Sequence, residues 1–160
     1  MSPSPKQILD ENEERRLIVE EAKSWLKTPF HNEARIKGGG VDCGMLLLEV
    51  FEKRELMPHV DPKHYAMDFM LHRNEEWYLE TVQQYAYEIF RNALPGDIIL
   101  YKSGRVYSHG GIIIKWPQII HASYPDRQVC YGEVGQSFLR NKIYLLFRYD
   151  MFERNGDDIK

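Results

Sequence analysis

Apolar residues in the first part of the chain recur at helical spacing. Ile18, Ala22 and Trp25 form a stripe that predicts an amphipathic helix from Glu14 to Lys27. This helix is expected to end at Thr28-Pro29, because proline cannot continue the hydrogen-bond ladder. The residues before it, 1–13, are rich in proline, serine and acidic side chains and predict a flexible lead-in.

The same pattern predicts two further helices. An unbroken apolar run after Asp42 indicates a helix over about 42–54 that is buried on most sides. A second helix is predicted from Asn74 to about Phe90, where an acidic first turn precedes a stripe of aromatic and aliphatic residues. Prolines interrupt the segment 55–73, and the pattern assigns no element there.

Beyond Leu94-Pro95-Gly96-Asp97 the helical spacing gives way to short runs rich in β-branched and aromatic residues. Turn residues separate these runs, which predict strands at 98–101, 111–115, 118–122, 128–133 and 142–149. Helices followed by strands indicate an α+β domain with an antiparallel sheet. We assign this domain to residues 14–152 and expect the polar tail 153–160 to fray.

Composition restricts the class of protein further. The chain has 160 residues, 43% of them apolar, which suits one globular domain. A formal charge of −3 provides no basic stripe for nucleic acid, and no apolar run is long enough to span a bilayer. The first residues lack the apolar core of a signal peptide, so we expect synthesis in the cytoplasm.

Two cysteines are present, and one of them has a distinctive setting. Cys43 follows a glycine-rich turn and Asp42, a favoured helix N-cap, so it is predicted in the first turn of a helix. The positive end of the helix dipole favours a thiolate there, which indicates a candidate nucleophile. The alternative is a cysteine that only fills space in the core. Cys130 is interpreted as an ordinary strand residue.

Two of the six histidines adjoin predicted strands. His109 lies at a strand entrance, and His121 lies inside an apolar run, where a polar group needs a partner. If the two runs form a hairpin with an odd-membered loop such as 115–117, His121 opposes Gly111 and shares a face with His109. We predict this odd loop, because a two-residue loop would place the two imidazoles on opposite faces.

Five short motifs follow one another along the chain. They are Thr28-Pro29-Phe30, Asp42-Cys43-Gly44, Pro95-Gly96-Asp97-Ile98, Ser108-His109-Gly110-Gly111-Ile112 and Ile120-His121-Ala122. This order is typical of NlpC-family cysteine peptidases, which the chain resembles over roughly residues 15–150. The long loop before Cys43 and the helical middle are most similar to the phage and gene-transfer-agent cell-wall peptidase branch.

The resemblance implies a papain-like fold, with N-terminal helices packed on a C-terminal antiparallel sheet. It also implies cleavage of the γ-D-glutamyl to diamino acid bond in peptidoglycan stem peptides, without a metal or cofactor. Carried over by position, Cys43 is the nucleophile, His109 the base and His121 the orienting third member. The backbone N–H of Cys43, next to the N-cap Asp42, is the expected oxyanion donor.

Residues expected to bind substrate are Phe30, His31, Arg35 and Gly111. The chain departs from the family pattern at two positions. Phe30 stands where the family usually has tyrosine, and Gly44 stands where it most often has serine. These departures are expected to change substrate recognition or weaken activity, and they retain the nucleophile and its base.

Three other classes of function are alternatives to a peptidase. The cysteine and two histidines are also potential zinc ligands, although their spacing lacks a close ligand pair. A thiol acyltransferase would use the same nucleophile, and a non-catalytic component of a tail or secretion assembly would keep only the fold. Because no wall-anchoring repeat is present, we expect a larger particle such as a phage tail tip to bring the protein to the cell wall.

Overall fold

The structure is a computed structural model that describes residues 6–8, 10–60 and 76–159. Its helices are α1 (Glu11–Lys23), α2 (Cys43–Lys53) and α3 (Trp77–Tyr85). Its strands are β1 (Arg35–Ile36), β2 (Gly40–Val41), β3 (Ala86–Ile89), β4 (Ile98–Ser103), β5 (Val106–Lys115), β6 (Gln118–Ser123), β7 (Gln128–Glu133) and β8 (Tyr144–Tyr149). No helix in these ranges is long and apolar enough to cross a membrane.

Six of the strands form one antiparallel sheet in the order β3-β8-β4-β5-β6-β7, which confirms the α+β class. Neighbouring residues of a strand point to opposite faces of the sheet. On β5, Ile112 packs in the apolar cluster that contains the helices, whereas Ile113 packs in a second cluster that includes Leu139. The sheet is therefore covered on both faces, and α2 lies against one of them.

The hairpin between β5 and β6 determines which way the histidines point. Lys115 pairs with Gln118, so the turn has two residues and the predicted odd loop is wrong. The register then shifts at a bulge, and Ile112 pairs with Ile120. One more step of that register sets Gly111 opposite His121. The bulge adds the residue that the turn lacks, so the predicted shared face is recovered by a different route.

Helix α1 begins earlier than its apolar stripe predicts. The Asp10 carboxylate accepts a hydrogen bond from the Glu13 N–H at 3.2 Å, which caps the helix within the predicted lead-in. Lys6 also belongs to the folded structure, because its ammonium group lies 2.8 Å from the Glu14 carboxylate. The helix ends at Lys23, before the predicted stop, and turns continue to residue 27. Residues 1–5 and 9 lie outside the described residues.

The third predicted helix is only partly helical. Helix α3 covers Trp77–Tyr85, and Ala86–Ile89 then form strand β3, which pairs with β8. Pairing with a neighbouring strand overrides the helical spacing here, because it satisfies the backbone groups of β3 and buries Ala86 and Ile89. The predicted start at Asn74 and the segment 61–75 lie outside the described residues.

The Pro95-Gly96-Asp97 motif positions a buried ion-pair network. The fully buried Asp97 carboxylate lies 2.8 Å from the Arg15 guanidinium and 3.0 Å from that of Arg148. It also accepts a hydrogen bond from the Leu94 N–H at 2.8 Å. These bonds tie α1 and β8 to the entrance of β4. Burial of each charge is offset by an opposite charge and by hydrogen bonds.

The C-terminal tail differs from the frayed segment that its polarity predicts. Asp158 is buried and lies 2.7 Å from Arg148, and its backbone carbonyl accepts a hydrogen bond from the Phe90 N–H. The hydrogen bonds from Arg148 hold the pKa of the Asp158 carboxyl below its usual value. A polar side chain is buried here because its partner is a cation in the core. Residue 160 lies outside the described residues.

Candidate active site

Cys43 is the first residue of α2, as the sequence predicts. The Asp42 carboxylate caps the helix by accepting a hydrogen bond from the Met45 N–H at 2.9 Å. It also accepts a hydrogen bond from the Glu33 N–H at 2.7 Å. One carboxylate thus holds both the helix start and the loop that precedes it. The apolar run that follows Cys43 packs in the apolar cluster that contains the helices, so a buried helix sets the position of the thiol.

The thiol of Cys43 is free and half-buried, and its Sγ donates a hydrogen bond to the Ser108 carbonyl at 3.3 Å. Burial and the nearby Asp42 carboxylate raise the pKa of Cys43 to about 12. Hydrogen bonds from the backbone of Gly44, Gly110 and Cys43 act in the opposite direction without cancelling this rise. The predicted resting thiolate is therefore wrong, because desolvation outweighs the helix N-terminus.

The two strand histidines form a buried pair. Nε2 of His109 and Nδ1 of His121 are joined by a hydrogen bond of 2.9 Å, which confirms that their rings share a face of the sheet. Burial and the neighbouring His121 and Lys142 hold the pKa of His109 well below its usual value. Burial lowers the pKa of His121 to about 4, although the Asp126 carboxylate opposes this shift. Both rings are therefore neutral at pH 7.

Two residues that the sequence analysis missed hold this pair in place. The Phe138 ring stacks on His121 with a centroid distance of 5.7 Å and meets His109 edge-on at 5.4 Å. Gly132 lies beneath His121, where a Cβ atom would come within 2.6 Å of Nε2. A lone glycine inside a predicted strand is a known signal of such close approach. The sequence contains no comparable signal for Phe138.

Cys43 and the histidine pair both adjoin β5. A Cβ atom on Gly110 would lie 2.6 Å from Leu47 of α2, so Gly110 faces the helices. The adjacent His109 points the other way and contacts Tyr101 of the second cluster. The thiol meets the β5 backbone at Ser108, directly before His109. Within the described ranges, the hydrogen bonds of the thiol and of the histidine pair do not connect Sγ to either imidazole.

The predicted substrate-binding residues have different environments. Phe30 lies beside Tyr124 with their rings edge to face at 5.5 Å, and His31 is exposed. Gly111 packs against β6, because a Cβ atom there would lie 3.1 Å from the Ile120 carbonyl oxygen and 3.4 Å from the Cβ atom of His121. Arg35 is already paired within the chain. Its guanidinium lies 2.6 Å from the Glu49 carboxylate and also bonds Glu52 of α2, and its role in binding substrate stays a prediction.

In the described ranges, no group of three or more histidine, cysteine, aspartate or glutamate side chains is arranged to hold a metal ion. The candidate site brings together a thiol at a helix start and two hydrogen-bonded imidazoles.

Comparison with known proteins identifies the family. The pattern of the NlpC/P60 family matches residues 27–148. The chain therefore belongs to the NlpC/P60 family. The match spans α2 and both histidines, so the candidate site falls entirely within the family domain. A search of curated proteins found no significant match.

Solved structures share the fold. The NlpC/p60 domain of the peptidoglycan hydrolase SagA is 21% identical, with a TM-score of 0.58 over 82% of this chain and 97% of that one. NlpC2 from Trichomonas vaginalis is 18% identical, with a TM-score of 0.63 over 92% of this chain and 51% of that one. An NLP/P60-family protein similar to a lipoprotein, from Staphylococcus aureus, is 20% identical, with a TM-score of 0.62 over 93% of this chain and 45% of that one. This chain thus spans about half the length of the last two.

Proposed function

We propose that this chain is a cysteine peptidase that hydrolyses the γ-D-glutamyl to diamino acid bond of peptidoglycan stem peptides. The observation that supports this most directly is the convergence on one strand of a thiol at a helix start and a hydrogen-bonded histidine pair. Membership of the NlpC/P60 family and the similarity to the domain of the peptidoglycan hydrolase SagA support the choice of substrate.

Cys43 is the nucleophile and His109 the base in this proposal. Because thiol and imidazole are both neutral at rest, the proton moves from Sγ to His109 as Sγ attacks the carbonyl carbon. Nε2 of His109 is bonded to His121, so Nδ1 is the nitrogen that receives the proton. The thiol must exchange its Ser108 acceptor for this nitrogen when substrate binds. His121 keeps the His109 ring in the required orientation.

The later steps use the same groups. The attack forms a tetrahedral intermediate whose oxyanion accepts a hydrogen bond from the Cys43 N–H, an interaction of about 3 kcal/mol when well aligned. His109 gives its proton to the leaving amine, and the C–N bond breaks to leave a thioester on Sγ. His109 then takes a proton from water as the water oxygen attacks the thioester carbonyl. The C–S bond breaks to release the acid, and His109 returns its proton to Sγ.

Digestion of purified muropeptides tests the proposal. We expect the wild-type protein to release two fragments whose summed mass exceeds that of the intact peptide by one water, as read by mass spectrometry. Cys43→Ala is expected to abolish this release because it removes the nucleophile. Cys130→Ala is the matched control and should retain it. Identical, uncleaved peptides with wild type and Cys43→Ala would reject the peptidase activity.

Thiol reactivity separates this proposal from a purely structural role. Iodoacetamide is expected to label Cys43 more slowly in His109→Asn than in wild type, because the base no longer accepts the thiol proton. Labelling of Cys130 provides the internal reference. Equal labelling of Cys43 in both proteins would favour a structural component.

Transfer of the acyl group to an added amine instead of water would indicate an acyltransferase. Carriage by a phage tail or a comparable assembly stays a prediction.

A further inference from the structure

Tyr78 of α3 reaches the nucleophile from outside its own helix. Its side chain is 2% exposed, and its hydroxyl donates a hydrogen bond to the backbone carbonyl of Cys43 at 3.2 Å. A buried phenol needs such a partner, because an unpaired hydroxyl in the core is costly. The partner here is the residue that carries the candidate nucleophile, so α3 is connected directly to the start of α2.

The same hydroxyl fills a space left by Gly110. A Cβ atom on Gly110 would overlap the Tyr78 hydroxyl oxygen and would lie 2.6 Å from Leu47 Cδ1. Any larger residue at position 110 would therefore force Tyr78 away from Cys43. Gly110 directly follows His109, and its backbone hydrogen-bonds the Cys43 thiol. One hydroxyl thus touches both the nucleophile residue and the strand that presents the base.

We infer that Tyr78 is a positioning residue for the nucleophile. Its hydroxyl, seated in the space that Gly110 leaves open, fixes Cys43 against the strand that presents His109. The Asp42 cap sets where α2 begins, and the Tyr78 bond sets how closely that end of the helix approaches β5. Small misplacements of a reacting group are costly to rate, so this contact should affect the chemical step. The activity readout of this inference rests on the proposed peptidase function.

Tyr78→Phe removes only the oxygen atom. We expect kcat for muropeptide hydrolysis to fall about tenfold, which corresponds to the loss of one hydrogen bond, while KM stays unchanged. KM is expected to stay the same because the buried hydroxyl contacts the Cys43 backbone and is not exposed to bind substrate. Tyr85→Phe, on the same helix, is the matched control and should leave kcat unchanged. Equal kcat in Tyr78→Phe and wild type, or equal losses in the two variants, would overturn the inference.

Gly110→Ala tests the shared space from the other side. This variant alone is expected to lose more than tenfold in kcat, because the new methyl group displaces the Tyr78 hydroxyl. The double variant Gly110→Ala/Tyr78→Phe should be more active than Gly110→Ala, since the overlapping oxygen is gone. Losses that simply multiply in the double variant would contradict contact between the two residues.

Iodoacetamide labelling distinguishes failure of this inference from failure of the proposed function. We expect Cys43 labelling, measured relative to Cys130, to slow in Tyr78→Phe along with hydrolysis. If wild type cleaves no muropeptide but Cys43 labelling still slows in Tyr78→Phe and not in Tyr85→Phe, the peptidase proposal fails and the positioning role stands. Unchanged relative labelling in Tyr78→Phe would overturn the positioning role.

Discussion

The buried His109–His121 pair should make folding stability depend on pH in a defined window. Burial lowers the pKa of His121 from 6.5 to about 4 in the folded protein, and the pKa of His109 is lowered as well. The unfolded chain therefore binds more protons than the folded one between these values. The stabilisation is fully present above pH 6.5 and is lost as the pH falls towards about 4.

The magnitude follows from the shift of His121. The full effect between pH 6.5 and about 4 is about 3 kcal/mol, of which about 2 kcal/mol is lost between pH 7 and pH 5. His109 contributes in the same direction. The carboxyl of Asp158, whose pKa is lowered from 3.8, loses its contribution only at lower pH, so the window from pH 7 to 5 reports mainly on the histidines.

Urea unfolding followed by tryptophan fluorescence at pH 7 and pH 5 measures this difference. We expect the free energy of unfolding of wild type to fall by at least about 2 kcal/mol across the window. His121→Asn should show a loss smaller by about 2 kcal/mol, because the titrating group is absent from both states. His31→Asn removes an exposed histidine and should keep the wild-type difference. A wild-type loss below about 0.5 kcal/mol, or an unchanged loss in His121→Asn, would refute the reasoning.

Two further variants test the packing around the site and the buried network. Gly132→Ala places a methyl group within 2.6 Å of the His121 ring, so we expect it to cost about 1–3 kcal/mol in urea unfolding and to shift the imidazole NMR signals; Gly156→Ala, where a Cβ atom meets nothing within 4 Å, should do neither. A wild-type histidine spectrum in Gly132→Ala would contradict the close contact. Asp97→Asn leaves two buried guanidinium groups short of their anion and should cost about 3–5 kcal/mol, whereas Asp150→Asn breaks only an exposed pair and should cost under about 1 kcal/mol. Similar losses in the two variants would argue against the network.

Local sequence determined the elements that contribute the candidate chemistry. The Asp42 cap is a local feature, because the hydrogen bond that its carboxylate accepts from the Met45 N–H joins residues only three positions apart. The start of α2 at Cys43 was therefore predictable, as was the run of strands that contains both histidines. The lone glycine at position 132 is a further local signal of close packing within its strand, and the sequence analysis missed it.

Tertiary structure decided how those elements meet. A bulge in β5, which no residue pattern marks, shifts the register that the two-residue turn sets. This shift places His121 on the same face as His109. Burial, which depends on the whole core, makes the Cys43 thiol neutral where the helix end alone predicts a thiolate. The ion pairs of Arg35 with Glu49 and Glu52 likewise depend on how the chain brings these residues together. Hydrogen bonds between near neighbours can be predicted from short segments, whereas register, desolvation and long-range ion pairs require the assembled chain.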